Sequence, residues 1–546
     1  MVGNIVAIHD NHDSSVSFYN GETGKYHIIE LERLIKKRHY KIASETPNSG
    51  LRIEILRDCQ LIAEKYWGIE NDYECVLISS QYSDSFKGNT IKKVFNSKEF
   101  KTLENHHYTH AACAFYQSPF DEALILSYDG GGQQEYFNFY NADRNSIELV
   151  DKLPINLGAG YWLCGSLIKE IIENSKCRRS YPGKMMGLSG YGEVNNEVYD
   201  VYYKFMDRNL RHGYSDLYEL DEIPDGKVIT IPGSGDVENS WIYKGQDGYD
   251  IAATSQKIME DIFFRELEKY DDEVKTWDRK NNRWVSIKEP SDIPLIITGG
   301  CALNVLINEE IKRRYDREVY VPPNPDDGGL TIGHIFCYTK PEERVNITYS
   351  GLSLMDRSKL DDYITEYDAK KVTKKDIAKL IKDGNIIGMV YGDSEVGPRA
   401  LGNRSIICDP SISEMKDTLN AKVKFREWYR PFAPFCKKED AHKYFESRDF
   451  ENMEYMSFAV KVKVDTLPSI THVDGTARLQ TVTEESHSHF YELLTEYAKI
   501  SDIPVLLNTS FNSRGNPILS TIYDALNILK ETELDYVVIE DYLFSC

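Results

Sequence analysis

The stretch ENHHYTHAA holds three histidines, His106, His107 and His110. On a helix, His106 and His110 share one face at i, i+4, the spacing at which two imidazoles can share a metal ion. The competing reading is a polar helix end whose histidines are satisfied by their neighbours. Oxygen ligands are available in Asp129, which opens DGGG, and Asp326, in PPNPDDGG. Both sit beside glycines that let a ligand approach the backbone. Mixed His/Asp ligation suits Fe(II), Mn(II) or Zn and leaves open positions for phosphate oxygens.

A second set of residues is cationic. EVGPRALGNRSI places Arg399 and Arg404 around a Gly-Pro turn, and KVKFREWYRPFAPF follows with Lys422, Lys424, Arg426 and Arg430. In a chain of net charge −22, a local excess of cations interleaved with aromatics points to anion binding. Arginine forks match phosphate oxygens, and lysine adds a point charge. Arg478 in GTARLQTV, and Asn508 with Ser510 in LLNTSFN, are candidate additions from distant segments; loop capping is their alternative role.

The elements that must position these residues are α/β in pattern. NIVAIHD, SSVSFYNG and KYHIIELERL read as strand, tight polar turn and returning strand, and EALILSYDGGGQQEYFNFYN repeats that grammar. The repetition predicts an internal duplication. Glycine loops at Gly130–Gly132 and Gly299–Gly300 follow buried strands and could expose N–H groups to phosphate. Together they resemble the actin/Hsp70/sugar-kinase type of ATPase fold. Helices are expected over Gly50–Tyr66 and Leu163–Glu173, and residues 205–292 read as a variable polar insertion. The polar stretch near Tyr338–Asp356 is the candidate domain boundary, after which KKDIAKLIKDGNIIGMVYG restarts helix, glycine stop and buried strand.

Composition bounds the class. A chain of 546 residues with 41% hydrophobic and 28% charged content fits two to four globular domains and excludes wholesale disorder. No apolar run approaches the ~18 residues of a membrane span, and MVGNIVAIHD reads as a first strand, not as a signal peptide. Lys+Arg 65 against Asp+Glu 87 opposes non-specific binding to nucleic acid or anionic lipid. Ten scattered cysteines with no C-x-x-C pair fit reduced thiols. A cytoplasmic location is expected.

The ordered motifs HDSSVSFYNG, ELERLIKKRH, HHYTHAACAFYQSPFDEALILSYDGGG, GKMMGLSGYG, TGGCALN, PDDGGLTIG, GPRALGNRSI, FREWYRPFAPF, ARLQTV and PVLLNTSFNSRGNPI resemble the O-carbamoyltransferase family of the nodulation (NodU), cephamycin (CmcH) and tobramycin type. The resemblance implies an actin-like, threonylcarbamoyl-transferase-like domain over residues 1–345 and a YrdC-like domain over 356–546. It implies that carbamoyl phosphate and ATP, with Mg2+, give carbamoyl adenylate in the second domain. An Fe(II)-type site in the first would then support transfer to a hydroxyl. By motif, the metal ligands would be His106, His110, Asp129 and Asp326, and His12 and His39 would line the transfer site beside Asp129. Gly131, Gly300 and Asn304 would hold the adenylate; Arg404, Lys424, Arg430, Arg478 and Asn508 would hold carbamoyl phosphate and ATP. His12 or His39 would be the base. The loop DGGGQQE departs from the family pattern by displacing an acid to Glu135.

Two other readings use the same residues: an actin-fold kinase of a hydroxyl, with the histidines structural, and a non-catalytic ATP-dependent switch. The expected acceptor is a sugar or natural-product hydroxyl. A hydroxymethyl-pyrimidine nucleotide or DNA would need a basic lip, for which Lys176-Cys177-Arg178-Arg179 and Lys36-Lys37-Arg38 are candidates; their plainer reading is solvated helix surface. No membrane partner is expected, and a homodimer is the family-level expectation.

Overall fold

The computed structural model describes residues 2–45, 50–79, 90–102, 105–131, 136–175, 177–208, 243–271, 274–278, 283–288, 293–513 and 515–546. It is a mixed α/β structure. The first strand, IVAIH of Ile5–His9, is an unbroken run buried at every position because both of its faces are covered. It lies at the centre of a five-stranded sheet, flanked by Ser15–Tyr19 and then Tyr26–Glu30 on one side and by Tyr73–Ser79 and then Ser97–Thr102 on the other. The first two pairings are antiparallel and the other two parallel.

A second sheet repeats this plan. Glu122–Tyr128 is central, with Phe137–Asp143 and Ile147–Leu153 antiparallel on one side and Leu295–Thr298 and Val319–Tyr320 parallel on the other. The duplication expected from the two strand–turn–strand units is therefore present as repeated topology. The helices His106–Gln117 and Leu330–Thr339 pack against each other between the two sheets. Their approach requires Gly333, where a Cβ would come 2.3 Å from the Thr109 carbonyl oxygen.

Residues 370–544 form an eight-stranded mixed sheet ordered Lys370–Lys371, Tyr542–Phe544, Tyr536–Ile539, Ile387–Val390, Arg404–Cys408, Val505–Ser510, Ala433–Lys437, Gln480–Val482. The expected helix of KKDIAKLIK is Lys374–Lys382, opened by a Thr373/Asp376 capping box. One apolar cluster joins both parts of the chain, from Leu126 and Leu163 to Phe432 and Val537.

Two local expectations need correction. The stretch Leu163–Glu173 is two helices, Leu157–Gly165 and Lys169–Glu173, separated by a turn. The span 205–292 is not merely a surface insertion: it contains the 26-residue helix Gln246–Asp271, which buries Ile251, Ile258, Ile262, Phe263 and Leu267. Those positions fall on one helical stripe, hidden among many charges. Residues 209–242 lie outside the described residues.

Candidate active site

The helix His106–Gln117 begins where Asn105 accepts the Tyr108 N–H at 2.9 Å. One turn apart on its buried side, the Nε2 atoms of His106 and His110 stand 3.1 Å from each other. Asp129 closes one flank, its Oδ2 at 3.8 Å from His106 and 3.4 Å from His110. Asp327 closes the other, its Oδ1 at 3.5 and 3.4 Å. Four donors about 2.1 Å from a common centre would lie about 3.4 Å apart if arranged tetrahedrally. Two imidazoles and two carboxylates at this spacing therefore fit a divalent metal ion.

The sequence placed Asp326 in this set, and the structure brings its neighbour instead. Asp326 Oδ1 accepts the Gly328 N–H at 3.2 Å, capping the tight turn Asp327–Gly329, and that turn swings Asp327 toward the histidines. In PPNPDDGG either aspartate satisfies the spacing; only the phase of the turn separates them. Asp129 is fixed by N–H groups of Gly130 at 2.5 Å and Gly300 at 2.8 Å. Gly299 permits this with φ +90°, where a Cβ would lie 2.2 Å from the Tyr128 carbonyl oxygen.

Charge follows geometry. Burial pulls the His110 imidazole down, but hydrogen bonds and charges from Asp129 and Asp327 outweigh it and hold it up at about 9. Burial pushes the Asp129 carboxyl up, and the two histidines drive it well below the usual range. Asp326, buried and beside the charges of Asp13 and Asp327, is pushed up to about 7.

His12 extends the cluster. Its Nε2 lies 3.1 Å from Asp327 Oδ2 and its Nδ1 2.9 Å from Asp13 Oδ2. The other oxygen of Asp13 takes His39 Nδ1 at 2.8 Å, so one carboxylate orients both imidazoles. Asp13 and His39 both adopt left-handed backbone, φ 55° and 52°, the strained conformation that brings the two loops together. His9 stands 3.8 Å from Asp327. Asp13, Asp327 and His9 were not among the residues singled out from the sequence; Asp13 sits inside the quoted HDS motif but looks like an ordinary turn residue there.

The cationic residues divide into two groups. Arg430 and Arg478 come together with Arg399: burial lowers all three, the Arg430 charge lowers Arg399 further, and the charges of Arg399, Arg426 and Arg430 lower Arg478 further. Arg430 has Glu427 at 3.7 Å, and Glu427 is itself held by Lys184 at 2.6 Å. Lys424 and Arg426 lie beside these arginines but are engaged, Lys424 Nζ with the carbonyls of Ser510 at 2.5 Å and Asn512 at 2.9 Å, and Arg426 with Asn420 at 2.7 Å. Arg404 stands apart. It is fully buried in a central strand and donates to the carbonyls of Tyr391, Asn403, Gly392 and Leu352 at 2.5–3.4 Å. Both terminal nitrogens are spent on the fold, and the buried Nε has no hydrogen-bond partner among the described residues. Asn508, also fully buried, holds the Ala400 carbonyl at 3.0 Å and Gln480 at 2.8 Å, and so braces the Arg399 turn from below.

Of the remaining candidates, Asn304 caps the helix Val305–Arg314 and exchanges hydrogen bonds with Gln256. Gly300 serves Asp129, and Gly131 precedes residues 132–135, Gly132 and Glu135 among them, which lie outside the described residues. In the basic lip, Lys36 pairs with Asp524 at 2.5 Å, Lys37 lies 5.8 Å over the Tyr40 ring, and Lys176 is outside the described residues. Arg38 and Arg179 are exposed.

Family models described as carbamoyltransferase N-terminus and carbamoyltransferase C-terminus match residues 60–335 and 378–545. The chain is 33% identical to the 3'-hydroxymethylcephem-O-carbamoyltransferase of Streptomyces clavuligerus, over 98% of each protein. It is 33% identical to the nodulation protein NolNO of Sinorhizobium fredii over 81% of its own length, and spans 63% of that protein. The structure of T. kodakarensis HypF aligns over 63% of this chain at 12% identity and a TM-score of 0.32, a likeness too slight to carry an argument. The chain belongs to the carbamoyltransferase family.

Proposed function

We propose that this protein is an ATP-dependent O-carbamoyltransferase that activates carbamoyl phosphate as carbamoyl adenylate and passes the carbamoyl group to the hydroxyl of a small molecule. In this reading, residues 1–345 are an actin-like transfer domain, which the repeated sheets support, and 356–546 are a YrdC-like activation domain. The observation that carries the reading is adjacency. The Arg399 turn touches the loop that ends at Asp327: a Cβ on Gly397 would lie 2.2 Å from the Pro323 carbonyl oxygen. A cluster of arginines and a histidine–aspartate cluster thus share one seam.

The chemistry balances without further reagents. Water converts carbamoyl phosphate to carbamate and phosphate; a carbamate oxygen attacks the α-phosphorus of Mg2+-bound ATP, and pyrophosphate leaves. The acceptor hydroxyl then attacks the carbamoyl carbon, its proton goes to a base, and AMP leaves. Arg399, Arg430 and Arg478 would bind the phosphate oxygens. His106, His110, Asp129 and Asp327 would hold an iron(II)-type ion, which when bound supplies Lewis-acid polarisation of the carbamoyl carbonyl. His12 is the base in this reading. Asp13, 2.9 Å from Nδ1, orients the ring, and Nε2, 3.1 Å from Asp327 Oδ2, would take the hydroxyl proton beside that carboxylate. His39, on the same carboxylate, is placed to relay the proton outward.

A small acceptor suits the charge of the chain. With net charge −22 and two of the lip lysines engaged by Asp524 and Tyr40, a polyanion would meet a mostly repulsive surface. All ten cysteines are free, and among the described residues no helix is long and apolar enough to cross a membrane; we place the reaction in the cytoplasm. The test is incubation with ATP, carbamoyl phosphate and Fe(II), with and without amino sugars, hydroxymethyl nucleotides and hydroxymethylated DNA. Mass spectrometry should find carbamoyl adenylate and one acceptor heavier by a carbamoyl group. ADP and a phosphorylated acceptor would instead identify a kinase.

A further inference from the structure

The turn that carries Arg399 is gripped from outside its own sheet. Arg33 lies in the short helix Leu31–Ile35, directly after the strand Tyr26–Glu30, and is 3% exposed. Its guanidinium pairs with Glu30 at 2.7 Å. The same group donates to the Glu395 carbonyl at 2.5 Å, the Gly397 carbonyl at 2.8 Å and the Ser394 hydroxyl at 3.2 Å. Glu30 completes the grip by accepting the Gly397 N–H at 3.1 Å. Both members of one ion pair thus hold a turn 362 residues away in sequence.

The opposite side of that turn is equally confined. Gly397 has φ +87° and backs onto the Pro323 carbonyl, so the turn is wedged between the Glu30–Arg33 pair and the loop Pro323–Asp327. The far end of Glu30 also borders Gly328, beside Asp327. A buried pair of this kind contributes little net stability over an apolar replacement, because desolvation offsets the attraction. What it does specify is a geometry: the spacing between Arg399 and Asp327.

We infer that Arg33 is a positioning residue for the transfer, which with Glu30 holds the Arg399 turn against the Asp327 loop so that the activated carbamoyl group reaches the acceptor site before water. The inference rests on the activation chemistry proposed above. A loosened seam would let carbamoyl adenylate meet water, which adds at the carbamoyl carbon to give carbamate and AMP. A seam misplaced by about 1 Å is enough to change a rate about a hundredfold.

The test needs no acceptor. The intact protein is mixed with ATP, carbamoyl phosphate and Mg2+, and pyrophosphate is followed by rapid quench. The native protein should release a burst limited by the number of chains and then stall, with the adenylate retained. Arg33→Met should keep the burst, which counts folded active chains, while the subsequent steady rate rises about tenfold relative to it. Arg33→Lys, which keeps the charge beside Glu30 but loses the fork, should fall between. A steady rate unchanged relative to the burst overturns the inference. If Arg33→Met loses its burst through misfolding, the same ratio in Arg33→Lys and Glu30→Gln decides. Absence of any burst in the native protein would overturn the proposed activation chemistry instead, so the two failures are distinguishable.

Discussion

Replacing Asp327 with Asn should remove metal binding, and replacing Asp326 with Asn should not. The two residues are adjacent in one glycine-rich turn, Asp327 buried and Asp326 half-buried, so the contrast isolates the phase of that turn. Asp327 supplies one of the four donor atoms of the group. Apparent binding free energies of four-ligand zinc sites are about 10–16 kcal/mol, so one ligand's share is about 3–4 kcal/mol. At about 1.4 kcal/mol per decade, Asp327→Asn should weaken affinity about 10²–10³-fold. Asp326 contributes a cap to the Gly328 N–H, and Asn caps as well as Asp, so Asp326→Asn should change affinity less than about tenfold. Anaerobic equilibrium dialysis with Fe(II), repeated with Mn(II) and Zn, measures both. If Asp326→Asn empties the site while Asp327→Asn fills normally, the turn has been read in the wrong phase. If neither substitution matters, the histidine–aspartate cluster is not a metal site at all.

Arg430→Ala or Arg478→Ala should weaken binding of carbamoyl phosphate and ATP by about one to two decades, the worth of a charge-assisted hydrogen bond of about 1.5–3 kcal/mol; calorimetric titration checks it. Arg404→Met should chiefly destabilise, since it strands buried carbonyls at a cost of about 1–3 kcal/mol each for those left unpaired, and its denaturation midpoint should fall while ligand affinity of the folded fraction holds. His12→Ala should slow transfer about 10²–10⁴-fold yet leave the acceptor-free pyrophosphate burst intact; loss of both would contradict the division into two sites. Glu309 is pushed by burial from 4.5 up to about 7, so between those values the folded chain binds its proton and the unfolded chain does not. Stability should therefore fall as pH rises through that window, by about 3 kcal/mol at most, and Glu309→Gln should flatten the slope in denaturation measured at both ends.

Ordered motifs made the family legible, because HDSSVSFYNG, GPRALGNRSI, RPFAPF and NTSFN combine unusual residues in a fixed succession. Local periodicity made most strands legible too: Ile5–His9, Leu295–Thr298 and Val505–Ser510 fall on the runs that looked buried. Three things were not. Residue type does not reveal whether a cation gathers with other cations or binds the protein's own carbonyls, and Arg404 and Arg430, alike in sequence, part company only when strand Arg404–Cys408 takes its central place in the sheet. Neighbouring aspartates cannot be separated without the turn that aims them. And the helix Gln246–Asp271 hid its apolar stripe among acidic and basic residues, so a core element looked like an insertion.

The arrangement of charge explains why the two clusters share a seam. An acyl adenylate that must cross open water is lost to hydrolysis, so the site that makes it and the site that uses it gain from direct contact. Placing them together sets like charges at close quarters, however. Arg399, Arg430 and Arg478 repel one another, and Asp326, Asp327 and Asp13 do the same on the Asp327 side of the seam. The fold sets these opposite excesses back to back: Asp326 raises Arg399 toward its usual range, and the histidines keep Asp327 and Asp129 ionised. In the proposed function each half would thereby be charged for its own ligand, an anion on one side and a cation on the other, and steadied by the other half. The Glu30–Arg33 pair sits where that balance depends on distance, which is why a residue that would touch neither ligand is the one expected to control what leaks.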